Sequence, residues 1–312
     1  MKRLKKILKW TGIVLLLVIL GLSATIASRQ NLHYDAPYPN IHASTDSSVI
    51  ARGRHLAYSG AHCIDCHHKG NSDSLIALGQ DVPLTGGFEF KLPLGSIYSK
   101  NITPDKTTGI GKYTDEEIAR ALRYGVHPDG TVVYEFMQFH NISDEDLTAI
   151  ISFLRSQQPV ENSVPPHSLN LLGRTVKAFL VHPVGPSDKV PAKVTPDTTA
   201  AYGRYLALNV AECNGCHTQR DMSGKFIGPP FGGGGIVEGF ITPNLTPDPS
   251  GRIYKWNKAD FIGRFRKGRL IPGSPMPWNS FSRMTDQELT AIYNFLKTVK
   301  PAPTVVVKPD PH

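Results

Sequence analysis

The chain is written twice. RGRHLAYSGAHCIDCH at 52–67 matches YGRYLALNVAECNGCH at 202–217, an offset of 150. NITPDKTTGIGKYTDEEIARALRYG at 101–125 matches NLTPDPSGRIYKWNKADFIGRFRKG at 244–268, an offset of 143. ISDEDLTAIISFLRS at 142–156 matches MTDQELTAIYNFLKT at 284–298, an offset of 142. Three matches in the same order and at nearly one offset indicate two copies of a single folding unit.

Each copy reads as three helices joined by long loops. A short helix precedes each Cys pair. The second helix runs from about Asp115 to Tyr124, with Thr114 and Glu117 spaced as a capping box and Gly125 as its stop. The third begins after Ser143 or Thr285. Its apolar residues follow the i, i+3, i+4, i+7 rule at Leu147, Ile150, Ile151 and Leu154, and again at Leu289, Ile292, Tyr293 and Leu296. Thr285 and Glu288 form another capping box. Residues 157–197 hold seven prolines and read as a linker wrapping the surface. The Pro-rich tail after Lys300 is expected to be extended.

Before the first copy, MKRLKK is followed by eighteen residues without a charge, Trp10 to Ala27. A basic start ahead of an apolar segment is the pattern of an export signal or a membrane anchor. The favoured reading is an uncleaved transmembrane helix over 1–30; a cleaved signal, leaving a soluble periplasmic protein, is the alternative. Either way the basic end stays cytoplasmic and everything after residue 28 is expected on the periplasmic side of a bacterial inner membrane. The formal charge of +8 includes five cations in the first nine residues. The remaining +3 forms no Lys/Arg cluster, so nucleic acid is excluded as a partner.

All four cysteines lie in two C-x-x-C-H units: Cys63, Cys66, His67 and Cys213, Cys216, His217. Two thiols one helical turn apart can add to the two vinyl groups of one porphyrin, and the adjoining imidazole can then reach the iron. A disulfide pair would leave both histidines without a role. A zinc site needs a fourth donor at a fixed spacing, and a thioredoxin-like motif needs a βαβ context. Two covalently bound haem c groups are therefore predicted. The run FGGGG at 231–235 is not a phosphate loop, because no G-K-[ST] follows; it reads as backbone passing close to a porphyrin edge.

With the N-[IL]-T-P-D turns and the [ST]-D-x-[DE]-L-x-A-I-x-x-[FY]-L helices, the pattern resembles two class I cytochrome c domains. It is most similar to the cytochrome c subunit of bacterial membrane-bound alcohol, gluconate and sorbitol dehydrogenases. The resemblance implies an all-α fold with domains at 45–160 and 198–300, a linker at 161–197 and a tail at 301–312. It also implies that Gly53 and Gly203 let the first and last helices of each copy cross, facing Phe153 and Phe295. Those subunits usually carry three haem motifs and this chain carries two, which leaves the partner enzyme open.

The resemblance further implies a Met as sixth iron ligand, on the loop before the last helix. In the second copy this is Met276, followed by Pro277, while Met284 reads as a core residue. In the first copy, gapless alignment places Tyr134 opposite Met276. Met137 arrives three residues later and is the favoured ligand, with Tyr134, His140 or an open position as alternatives. Asn101 and Asn244 are expected to organise their turns or hydrogen-bond a propionate. His68 is expected at the surface.

The implied function is single-electron transfer between a dehydrogenase or quinol-linked complex and a downstream acceptor such as another cytochrome or a terminal oxidase. A carrier of this kind is not itself an enzyme. The alternative is a dihaem enzyme, peroxidase-like or thiosulfate-oxidising, with one haem lacking a Met ligand. No cysteine is spare for the thiosulfate chemistry, and no fused signalling domain supports a haem-bearing sensor.

Overall fold

The computed structural model describes residues 2–68, 73–137, 139–221 and 224–306. Helix α1 (Lys2–Ser28) has no buried residue, and its leucines and valines are exposed. At about 1.5 Å per residue its 27 residues reach roughly 40 Å, more than the ~30 Å hydrocarbon core of a bilayer. It is the one helix among the described residues long and apolar enough to cross a membrane.

The body is mostly helical. In chain order come α2 (Ser47–Tyr58), α3 (Cys63–Cys66), α4 (Asp73–Ala77), α5 (Asp115–Tyr124), α6 (Asp144–Ser156) and α7 (Leu171–Phe179). Then follow α8 (Ala200–Tyr205), continued by a π turn over Leu206–Val210, and α9 (Cys213–His217), α10 (Lys258–Arg266), α11 (Trp278–Phe281) and α12 (Asp286–Leu296). Capping boxes start α5, α10 and α12, and Gly125 ends α5 with a φ of 63°. The i, i+3, i+4, i+7 residues of α6 are all buried, as are those of α12 except the half-buried Tyr293.

Two helix crossings organise the core: α2 packs on α6, and α8 packs on α12. A Cβ on Gly53 would lie 1.8 Å from the Ala149 carbonyl oxygen, and one on Gly203 would lie 1.8 Å from that of Ala291. Only glycine lets the backbones approach this closely. The facing residues are therefore Ala149 and Ala291; Phe153 stands next to Gly53, whereas Ile292, not Phe295, completes the contact at Gly203.

Two expectations need correction, and the tail gains a detail. The fold is not purely α, because β1 (Glu89–Leu92) pairs antiparallel with β2 (Gly95–Tyr98) around the Pro93–Leu94 turn, and β2 pairs with β3 (Ser168–Leu169). A second hairpin joins β4 (Ile236–Val237) to β5 (Phe240–Ile241). The stretch 161–197 is not a bare linker, since it contributes β3 and helix α7. Of the tail, residues 301–306 are held along the second half, where Asn244 donates to the Ala302 carbonyl at 2.7 Å; residues 307–312 lie outside the described residues.

Candidate functional site

Each C-x-x-C-H unit begins in a left-handed conformation. His62, before Cys63, has a φ of 36°, and Glu212, before Cys213, has a φ of 48°. That bend starts the short helices α3 and α9, which put the two cysteines one turn apart and the histidine at the exit. In both units the histidine is buried and its ring is held from behind. The Nδ1 of His67 lies 2.7 Å from the Lys100 carbonyl, and the Nδ1 of His217 lies 2.9 Å from the Pro243 carbonyl. A carbonyl only accepts, so Nδ1 carries the proton and Nε2 is left as the lone-pair nitrogen. Burial lowers both imidazole pKa values, opposed by these carbonyls.

A glycine completes each cradle. Gly86 donates its amide to the His67 carbonyl at 3.0 Å, and Gly233 does the same for His217 at 2.9 Å. Both have a positive φ, 68° and 61°, and a Cβ on either would collide with the Lys100 or Pro243 backbone. Gly233 lies in the FGGGG run singled out from the sequence, whereas Gly86 was missed; its signal was TGGF at 85–88.

The first unit opens on a cavity of about 620 Å³ lined by Cys63, Cys66 and His67, within the ~300–1,000 Å³ range of cofactor pockets. Its walls are largely apolar, from Ile97, Leu147, Ile150 and Leu154. Met137 and Tyr134 both reach this cavity, and His140 does not. His140 is buried in a short turn where its Nδ1 meets the Arg123 carbonyl at 3.0 Å. Phe90 and Phe136 also line the cavity, stacked at 4.7 Å and 9°, and were likewise missed. Burial pushes the thiols of Cys63 and Cys66 up to about 12, and does the same to Cys213.

In the second half, Met276 is half-buried against the core, and Met284 is fully inside it. The Met276 loop is fixed by Trp278, whose ring lies 3.5 Å from the Arg264 guanidinium and whose indole NH donates to Ser274 at 3.2 Å. Glu212, beside Cys213, lines the first cavity, so the second unit borders the first.

Two polar expectations change. His68 is buried, packed near the Phe88 ring, and is not a surface residue. The amides of Asn101 and Asn244 are occupied within the protein. Their oxygens accept from the Thr103 and Thr246 amides, while Asn101 donates to Val160 and Thr108 and Asn244 to Ala302 and Ser250. They pin their turns to the segment after the last helix and keep no donor for a propionate.

The residues fit covalent haem better than zinc. Among the described residues no group of three or more His, Cys, Asp or Glu converges as a metal cage. The Cys pair and a histidine with a committed Nδ1 instead stand on the wall of an apolar cavity with a thioether beside it. The Cytochrome c family profile matches residues 200–300. The chain carries a cytochrome c domain over those residues. It is 32% identical over 280 residues to the alcohol dehydrogenase (quinone) cytochrome c subunit of Gluconacetobacter polyoxogenes, covering 83% of this chain and 57% of that protein. It is 30% identical over 286 residues to the gluconate 2-dehydrogenase cytochrome c subunit of Pantoea cypripedii, covering 81% of this chain and 60% of that protein. A diheme cytochrome c-type protein of Cereibacter sphaeroides is 26% identical over 80% of this chain and 85% of its own length. The chain thus spans a little over half the length of the dehydrogenase subunits it matches.

Proposed function

We propose that this chain is a membrane-anchored, two-haem electron carrier that passes single electrons between a dehydrogenase or quinol-linked complex and a downstream acceptor. Two tandem cytochrome c domains, 45–160 and 198–300, would each hold one haem c. Cys63 with Cys66, and Cys213 with Cys216, would supply the thioether links. His67 and His217 would be the proximal ligands, and Met137 and Met276 the distal ones. Haem iron, when bound, supplies the one-electron chemistry.

The reading rests on one repeated observation: behind each C-x-x-C-H, a carbonyl and a glycine amide fix the histidine in the same way. Such a second shell sets the tautomer and orientation of a metal-binding imidazole. The chain's own residues bind, orient and exclude water, with Leu147, Ile150 and Leu154 keeping the first cavity apolar. The dehydrogenase partner is suggested by the relatives' roles as subunits of dehydrogenases. Residues of α1 support a periplasmic location with the chain anchored in the inner membrane.

The test is the haem content of the full-length protein, with spectra of its oxidised and reduced forms. Two haem c per chain, both low-spin and neither binding peroxide, are expected. A single haem, or a high-spin haem that reacts with peroxide, would overturn the carrier reading.

A further inference from the structure

Helix α7 is amphipathic in the wrong sense for a water-exposed helix. Gly173 and Ala178 face the protein and are buried, with Gly173 so close to the Leu94 carbonyl that a Cβ would sit 2.1 Å away. At 100° per residue, Leu172, Thr175, Val176 and Phe179 fall on the opposite side, and Leu171, in line with Ala178, lies at its edge. That outward side is therefore apolar. Leu171 is 75% exposed, Leu172 58%, Phe179 38%, and Leu180, just past the helix end, 69%. The single hydroxyl on this face is satisfied internally, since Thr175 donates to the Leu171 carbonyl at 2.9 Å.

This face sits at the foot of α1. Arg29, one residue after α1 ends, donates to the Ala178 carbonyl at 2.7 Å and stacks over the Phe179 ring at 5.5 Å. Gln30 donates to the Arg174 carbonyl at 3.0 Å. The C-terminal half of α7 is thereby tied to the level at which an 18-residue uncharged segment leaves the hydrocarbon.

We propose that α7 is an interfacial helix, lying in the headgroup layer of the bilayer that α1 spans, with Leu172, Val176 and Phe179 toward the acyl chains. The inference rests on the reading of α1 as a membrane anchor. An outward apolar face, with Arg29 stacked at its end and the exposed Arg174 beside it, and continuous with a span, is the arrangement that phospholipid recognises: acyl chains take the side chains and phosphates take the cations. Water alone would leave the face unsatisfied. Asn31 and Lys177 both line the first cavity, so the same docking brings that cavity beside the membrane surface.

The test uses the full-length, haem-loaded protein in phosphatidylethanolamine/phosphatidylglycerol vesicles, with a nitroxide spin label on L172C, L16C or L270C. Collision rates are read with oxygen, which concentrates in lipid, and with a water-soluble nickel chelate. Leu16 reports on α1, and Leu270 is an exposed residue of the second half. The expected result is that oxygen exceeds the chelate at positions 16 and 172, with the ratio reversed at 270. A lipid signal at 16 with a water signal at 172 would overturn the proposal while keeping the anchor. Low access to both reagents at 172 would also overturn it, because protein and not lipid would then cover the face. A water signal at 16 would remove the anchor reading and the proposal together.

Discussion

The two halves of the molecule place different chemistry on the same backbone. Position 52 in α2 is Arg and its equivalent in α8 is Tyr202; position 55 is His and its equivalent is Tyr205. The acids facing them, Asp146 and Glu288, also correspond. Arg52 bridges the halves, with Nε 3.0 Å from Asp146 and Nη1 3.1 Å from Glu288. His55 reaches Glu288 at 2.8 Å, and Tyr205 donates to Asp146 at 2.8 Å. The guanidinium and imidazole thus come from the first copy and the phenols from the second. The shared features lie behind the histidines and at the helix crossings, whereas the differences lie where the copies meet. A symmetric pair of arginines would place two cations against two acids and leave the docking register ambiguous. In the asymmetric set Asp146 takes one partner from each half, Arg52 and Tyr205, whereas Glu288 takes Arg52 and His55, both from the first; a buried network of this kind specifies geometry more than it adds stability.

The largest effect that would break the equivalence of the halves is at the two methionines proposed as distal ligands, Met137 and Met276. Met276→Ala and Met137→Ala are each expected to abolish one thioether-to-iron absorption band. Each should also lower one midpoint potential by on the order of 100 mV or more, within the ~0.8 V that axial ligands command. Potentiometric titration reads both. If Met137→Ala leaves the first haem unchanged, Tyr134 is the residue to test next, since it lines the same cavity.

The helix crossings should respond alike. Gly53→Ala and Gly203→Ala each drive a methyl into a carbonyl and are expected to cost about 3 kcal/mol or more in urea unfolding. A cost confined to one of them would mean the crossings are not equivalent.

Glu288 should distinguish the halves through pH. Burial pushes its carboxyl up, but His55, the Thr285 amide and Arg52 outweigh that and hold it down to about 2. A carboxylate lowered on folding contributes stability above its unfolded value, near 4.5, and loses it as pH falls toward 2. The contribution is roughly 3 kcal/mol at most. Glu288→Gln should flatten the dependence of stability on pH across that window; an unchanged slope would show that the acid sensitivity lies elsewhere. The smallest effects are expected at the caps, where Thr114→Ala and Thr285→Ala should each cost about 1 kcal/mol in thermal unfolding.

Much of the framework is legible in the chain because its signals are local. The capping boxes at Thr114 and Thr285, the stop at Gly125 and the 3.6-residue periodicity of α6 and α12 all act within one or two turns. Position 53 needed a glycine for a crossing, and the crossing is there; Ala149 makes the nearest contact, with the anticipated Phe153 beside it. The strands of 89–98 were missed because a four-residue strand carries little periodicity, and they pair partly with residues 168–169, far along the chain. His68 was misplaced because a histidine beside a motif carries no local sign of burial; the fold packed it near Phe88.

The sequence by itself determined the duplication, the two cysteine pairs with their adjoining histidines, the helices that frame them and one apolar segment able to span a bilayer. Only the tertiary structure decided which groups serve those histidines. The carbonyls that hold His67 and His217 lie 33 and 26 residues away, and loop closure over such distances leaves no local trace. Likewise, Met137 and Tyr134 reach the cavity while His140 turns to Arg123, although all three occupy seven residues of one loop. The outward face of α7 is the clearest case. Its leucines read as ordinary apolar residues until Gly173 and Ala178 are seen to take the inner side, because the direction a helix faces is set by what it packs against.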